Sequence, residues 1–309
     1  MSADPSRWFH RRGTLAHDGW ETVVDGSTPG WQHTGLRIGV LEKGATLALP
    51  EAGMERIIIP LSGSFSASYT ENGRSSQVLL AGRASVFDGP TDVLYLSAVA
   101  TAVISGDGRV AVATSPTSAV HPTRHISAAE TPIELRGTGA SSRQVHNFGT
   151  PESLDAARLI VCEVITPAEN WSSYPPHKHD QHVPGQESRL EEIYYFEAAP
   201  ARDGGRADAD DAAFGLFSTY GSPAGEIEIN AMVRTGDVAL VPFGFHGPAV
   251  AAPGYDLYYL NVMAGPDPHR RWLITDDPAH AWVRDSWAGQ ELDSRLPYRP
   301  IPQSTERAQ

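Results

Sequence analysis

The strongest constraint on this chain is its rhythm. Short apolar runs rich in branched and aromatic residues follow one another, each closed by glycine or proline. GLRIGVLEKG, MERIIIPLSG, RASVFDG and RVAVATS appear in the first half; RLIVCEVI, EEIYYFEA, AFGLFSTYG, EIEINAMVRTG, DVALVPFG and DLYYLNVMAG appear in the second. Such runs form strands, because branched and aromatic side chains pack well on a pleated surface and the flanking residues permit tight turns. The 29 glycines and 24 prolines among 309 residues supply those turns. Many short strands at roughly even spacing predict an all-β sandwich or barrel. Helical periodicity is scarce, and only TPESLDAARL and the segment near DDPAHAWVRDSW predict short helices.

The chain also echoes itself. RWFHRRG near the start resembles RQVHNFG at 143–149, MERIIIPLSG at 54–63 resembles LEEIYYFEAA at 190–199, and DVLYLSA at 92–98 resembles DLYYLNV at 256–262. Three matches in order predict a duplicated β-domain. The division falls in SPTSAVHPTRHISAAETP, which loses strand character, giving an N-terminal unit over 1–125 and a C-terminal unit over 126–309. ARDGGRADADDAA reads as a solvated loop without the spacing of a calcium site. The tail RLPYRPIPQSTERAQ reads as a polar, proline-rich arm.

A formal net charge of -13 argues against nucleic acid and anionic membrane surfaces as partners. The single cysteine, Cys162, lies in an apolar run and is expected to be a small buried hydrophobe. MSADPSRWFHRRG has no apolar signal region, and no run reaches membrane-spanning length, so a cytoplasmic location is expected. A homo-oligomer is left open.

The chemistry concentrates in NWSSYPPHKHDQHVPGQESRLEEIYYFEA. His177 and His179 stand at i and i+2, which on a strand puts both imidazoles on one face. A carboxylate, Glu191 or Glu192, opens the next apolar strand. In GDVALVPFGFHGP, His246 follows a Pro/Gly turn at a strand end. Three neutral imidazoles and one carboxylate suit Zn, Mn, Fe, Co or Ni and leave positions open for water or substrate.

These residues resemble the two sequence motifs of the cupins, small β-barrels of jelly-roll type. WSSYPPHKHD, LEEIYYFE, VPFGFHGPA, GYDLYYLNVMAGP and DDPAHAWV are most similar to the 5-deoxy-glucuronate isomerases of myo-inositol catabolism, a bicupin family related to the 5-keto-4-deoxyuronate isomerases of pectin breakdown. WFHRRG and RQVHNFG add to the likeness, which runs through both halves. It implies two jelly-roll barrels in tandem. The first has Glu55 but no H-x-H and is expected to be metal-free; the second would hold one divalent metal, zinc or manganese. The stretch from His179 to the glutamate is longer than in most cupins. Cupin ligands usually stand immediately before the apolar strand residues, favouring Glu192, whereas the internal repeat aligns Glu55 with Glu191. We take His177, His179, Glu192 and His246 as the expected ligands.

The resemblance further implies conversion of 5-deoxy-D-glucuronate to 5-dehydro-2-deoxy-D-gluconate. Such an aldose–ketose exchange needs an electrophile on the oxygens and a group that carries a proton between neighbouring carbons. The expected shuttle is Glu191, then His182. The substrate carboxylate calls for a cation, with Arg143, Arg270 and Arg271 as candidates. Tyr195 and Tyr259 are candidates to meet sugar oxygens. The rival readings are the pectin-pathway isomerase, an iron-dependent cupin dioxygenase and a non-catalytic sugar-binding cupin.

Overall fold

The computed structural model describes residues 7–49, 53–202 and 212–298. Strands dominate, and helix among the described residues is confined to short 3-10 turns such as Val86–Asp88 and Ala281–Val283. TPESLDAARL is corrected to a turn, whereas the DDPAHAWVRDSW segment holds two one-turn 3-10 helices, Ala281–Val283 and Asp285–Trp287. Segments this short do not sustain an α-helix on their own. Most of ARDGGRADADDAA and the tail beyond Tyr298 lie outside the described residues.

The first half is built on an 8-stranded antiparallel sheet. Its long strands, Met54–Glu71 and Thr101–Pro116, pair from Met54 opposite Pro116 to Thr70 opposite Thr101. The uninterrupted run Ile57, Ile58, Ile59 arises because both faces of this sheet are covered. Ile58 packs inside the first half with Phe65 and Leu94, while Ile57 and Ile59 join the core shared with the second half.

The second half is two sheets. A 7-stranded sheet carries Glu191–Pro200 between Val238–Val241 and Tyr255–Ala264, and continues through Ile160–Thr166, Arg143–Gly149 and Ile133–Arg136. A 6-stranded sheet carries Gly215–Tyr220, Phe245–Ala251, His177–Lys178 and Thr275–Asp276. Their inner faces meet through aromatic contacts, with Phe217 at 4.6 Å from Tyr194 and 5.3 Å from Phe196, ring centre to ring centre. The sheets run as open paths, not as the closed barrels expected.

The internal echo is partly topological. Met54–Glu71 and Glu191–Pro200 each sit centrally in their sheets. The counterpart of Val93–Leu96 is Val238–Val241, however, and not the Tyr255–Ala264 strand that the sequence match suggested. Arg56 lies opposite Leu96 as Glu192 lies opposite Val241. Phe9–His10 does not join the first sheet at all; it edges the second, with Phe9 opposite Ala239 and His10 opposite Val238.

A buried polar seam joins the halves. Arg83 donates to both oxygens of Glu163 at 2.7 Å, Tyr258 Oη donates to the same carboxylate at 2.7 Å, and His146 Nδ1 lies 2.6 Å away. Burial pushes the Glu163 carboxyl up, but Arg83 and His146 outweigh it and hold it down at about 2.

Candidate active site

Two strand ends of the 6-stranded sheet and one strand of the 7-stranded sheet converge on a buried group. His177 is register partner to His246 and, on its other side, to Asp276. Lys178 turns away and donates to Asp180 and Glu187 at 2.8 Å each. Asp180 in turn accepts the Gly244 N–H at 2.9 Å, tying the H-x-H segment to the turn that delivers His246. Gly247 follows with φ +94°, where a Cβ would lie 1.8 Å from the Ser173 carbonyl oxygen. Glycine is what lets these two segments approach.

Glu192, not Glu191, faces the histidines. Ligand atoms of His179, Glu192 and His246 lie within 4.8 Å of one another, and this buried group can hold a metal ion. Glu192 Oε2 is 2.9 Å from His179 Nε2 and 3.2 Å from His246 Nε2. His177 stands beside the group, its ring centre 4.5 Å from that of His246.

Each imidazole has its Nδ1 against a backbone carbonyl: His177 to Pro175 at 3.3 Å, His179 to Leu190 at 3.1 Å and His246 to Gly244 at 3.1 Å. Those contacts place the proton on Nδ1 and free Nε2 as a lone-pair donor. His246 Nε2 is fully buried and makes no hydrogen bond despite its proximity to Glu192. An orphaned imidazole nitrogen facing a carboxylate oxygen is what a bound cation satisfies, so the donor set fits a divalent metal.

The electrostatics agree. Burial pushes Glu192 up, but the neighbouring imidazoles of His179 and His246 outweigh it and bring the carboxyl to about 2. His177 is driven well below the ordinary histidine value by burial, then by His246 and His179, and is neutral. In His179 burial is outweighed by the hydrogen bond and charge of Glu192, which raise it.

A cavity of about 400 Å³ opens from this group. His177 and Glu192 line it, and so do Arg136, Arg143 and Arg284. Two of these arginines are already paired: Arg136 with Glu134 at 2.7 Å, and Arg284 with Asp276. Arg143 is buried, donates to the Ser141 carbonyl at 2.9 Å and has no carboxylate partner among the described residues. Burial, with the repulsion of Arg136 and Arg284, lowers its guanidinium to about 10. Tyr259 lines the same cavity, its phenol pushed up to about 12 chiefly by burial.

Several expected site residues lie elsewhere. Glu191 points to the opposite side of its strand and accepts the N–H groups of Gln32, His33 and Thr34, so it cannot serve the cavity as a proton shuttle. Tyr195 shares that outward face and bonds Glu197 and Arg109. His182 rides a hairpin away from the histidine group, pairs with Asp267 at 2.7 Å and lines a separate cavity together with Arg271. Arg270 donates through its two terminal nitrogens to the carbonyls of Ala156 and Gly149. Sequence reasoning missed Asp276, Arg136, Arg284, Trp272 and Asn261 on the cavity wall. One signal was present for Asn261: a lone amide inside the apolar run YYLNVMAG.

Fold and site together define a nearly all-β, cupin-like protein with a metal-competent histidine–glutamate group beside a cavity lined by three arginines. The chain belongs to the KduI/IolB family, which matches residues 8–283. It is 38% identical over 266 residues to the 5-deoxy-glucuronate isomerase of Geobacillus thermodenitrificans, covering 85% of this chain and 90% of that one. The Bacillus subtilis strain 168 protein of the same name is 41% identical over 205 residues, covering 65% and 70%. The crystal structure of an IolB-like protein from Salmonella typhimurium LT2 superimposes with a TM-score of 0.78 at 32% identity, covering 90% of this chain and 99% of that one. An oxalate decarboxylase from Lactobacillus farciminis shares the fold at 10% identity and a TM-score of 0.60 over 87% and 88% of the chains. No described helix is long and apolar enough to cross a membrane.

Proposed function

We propose that this chain is a metal-dependent aldose–ketose isomerase that converts 5-deoxy-D-glucuronate to 5-dehydro-2-deoxy-D-gluconate in the cytoplasm. The observation that carries the reading is the cavity. Glu192 of the buried His–Glu–His group lines it beside His177, and so does Arg143, a buried cation without a carboxylate partner among the described residues. The names of the relatives supply the substrate. We read the two halves, 1–125 and 126–309, as two cupin units with only the second binding metal. Supporting this, Arg56 takes the place of Glu192 in the first half, and its guanidinium bonds the Ser97 and Ala100 carbonyls.

In this reading Arg143 receives the substrate carboxylate and fixes the direction of the sugar. The C1–C2 end then lies at the histidine group, with Tyr259 along the way. His177, His179, Glu192 and His246 would hold a divalent ion, zinc or manganese, which when bound supplies a Lewis acid for the carbonyl and hydroxyl oxygens. With Glu191 and His182 turned elsewhere, the proton shuttle passes to Asp276. It is register partner to His177 and is held by Arg284. Its carboxylate takes the proton from C2 and returns it to C1, while the C2 hydroxyl proton passes to the C1 oxygen.

One assay tests the whole. The purified protein should isomerise 5-deoxy-D-glucuronate, incorporate solvent deuterium and contain a divalent metal by elemental analysis. Exhaustive chelation should abolish turnover and leave the circular dichroism intact. Asp276→Asn should lower kcat by roughly 10²–10⁴-fold with metal retained. Full activity after verified metal removal would sink the mechanism.

A further inference from the structure

We propose that Asn261 is a substrate-binding residue whose side-chain amide donates a hydrogen bond to a mid-chain hydroxyl oxygen of the sugar. The inference rests on the isomerase reading and deepens it, because it names what the cavity recognises between its two ends.

Asn261 is 3% exposed and lines the cavity. Its Nδ2 is buried and has no hydrogen-bond partner. Its Oδ1 faces the Cys162 sulfur at 4.0 Å on the neighbouring strand. A buried thiol is a weak donor, and its contact with the amide oxygen leaves the amide nitrogen as the group without a partner. Trp272 Nε1 is a second buried, unpartnered N–H on the same wall. Buried donors go unpaired in a native protein where a ligand or water brings the acceptor.

Register places Asn261 between the ends. It lies opposite Tyr194, two residues along the strand from Met263, which lies opposite Glu192. In the other direction comes Tyr259, opposite Val164, which lies opposite Val145 on the strand that begins with Arg143. Opposite residues on paired strands share a face, so Glu192, Asn261, Tyr259 and Arg143 descend one wall in that order. A chain with its carboxylate on Arg143 and its reacting carbons at Glu192 passes Asn261 in the middle. A 5-deoxy sugar acid carries hydroxyls there, at C3 and C4, and an amide N–H distinguishes them from a bare methylene.

The test compares Asn261→Ala and Asn261→Asp with the unaltered enzyme on 5-deoxy-D-glucuronate and on its 3,5- and 4,5-dideoxy analogues. Asn261→Ala should lower kcat/KM for the full substrate by about 10–100-fold, mostly through KM. Metal content and circular dichroism should not change. For the analogue that lacks the contacted hydroxyl, the alanine variant and the unaltered enzyme should be equal. Asn261→Asp keeps the size but replaces donor by acceptor, so its loss on the full substrate should be larger. Unchanged kcat/KM in Asn261→Ala, or one uniform loss across all three substrates, would overturn the proposal alone. Absence of turnover by the unaltered enzyme would overturn the isomerase reading, and this proposal with it.

Discussion

Glu55 and Glu191 perform the same task from opposite halves of the molecule. Glu55 accepts the N–H groups of Ala157, Arg158 and Leu159 at 2.8, 2.6 and 2.8 Å. Glu191 accepts those of Gln32, His33 and Thr34 at 3.2, 2.5 and 2.6 Å. Each carboxylate begins a central strand of its own half and grips three successive amides leading into a strand of the other. The likeness of 54–63 to 190–199 thus coincides with a shared structural task, a clamp between the halves.

Glu55→Ala and Glu191→Ala should each destabilise the protein by about 3–5 kcal/mol, because buried amides lose their acceptor. Urea unfolding measures this. Under folding conditions the Glu191 variant should keep kcat within about twofold of the unaltered enzyme. A large loss of activity at unchanged stability would return Glu191 to the catalytic machinery.

His179→Ala and His246→Ala should remove the bound metal and lower activity on the order of 10³-fold or more, since each deletes an atom of the compact donor group. Elemental analysis of the purified variants, alongside turnover, checks it. Retention of stoichiometric metal in both variants would show that the ion sits elsewhere.

Arg143→Lys should raise KM, because a point charge cannot reproduce the two parallel donors of a guanidinium. A loss of about 1.5–3 kcal/mol in binding corresponds to roughly 10–100-fold. Arg136→Lys should cost less, since Glu134 already occupies that guanidinium. Steady-state kinetics on the two variants decide between them, and equal KM effects would count against the assignment.

The Glu163 seam makes stability sensitive to acid. Its carboxyl falls from an ordinary 4.5 to about 2 in the folded protein, so the folded state binds the proton more weakly. The contribution is fully present above pH 4.5 and is lost as pH falls toward 2. At about 1.4 kcal/mol per tenfold change in proton affinity, it amounts to about 3 kcal/mol. Urea midpoints between pH 5 and 2.5 should drop steeply for the natural chain. For Glu163→Gln they should start lower and fall less steeply. Parallel curves would remove Glu163 as the cause.

Strand content was legible because strand patterning is local. The H-x-H spacing reads as two ligands on one strand face, but His179 falls outside the His177–Lys178 strand and joins Glu192 and His246, while His177 stands beside that group. Alternation alone says only that Glu191 and Glu192 face apart; the resemblance favours Glu192, and which of the two faces inward depends on neighbours such as Val241 and Met263. His182 is close to His177 in sequence, yet a hairpin between Asp180–Val183 and Glu187–Arg189 carries it to another cavity. Asp276 and Arg284 reach the site through short irregular segments about a hundred residues later, where no periodicity marks them. Asn261 stands out in sequence only as a lone amide inside an apolar run, and its place on the cavity wall follows from strand register.

The strand Phe9–His10 lies on the edge of the second sheet although it begins the chain. A gene cut at the midpoint would therefore separate Val238–Val241 from its outer neighbour and leave a bare edge of amides and carbonyls, prone to pair with other chains. The two halves are therefore not separable modules, because the opening strand of the chain completes the sheet that carries Glu192.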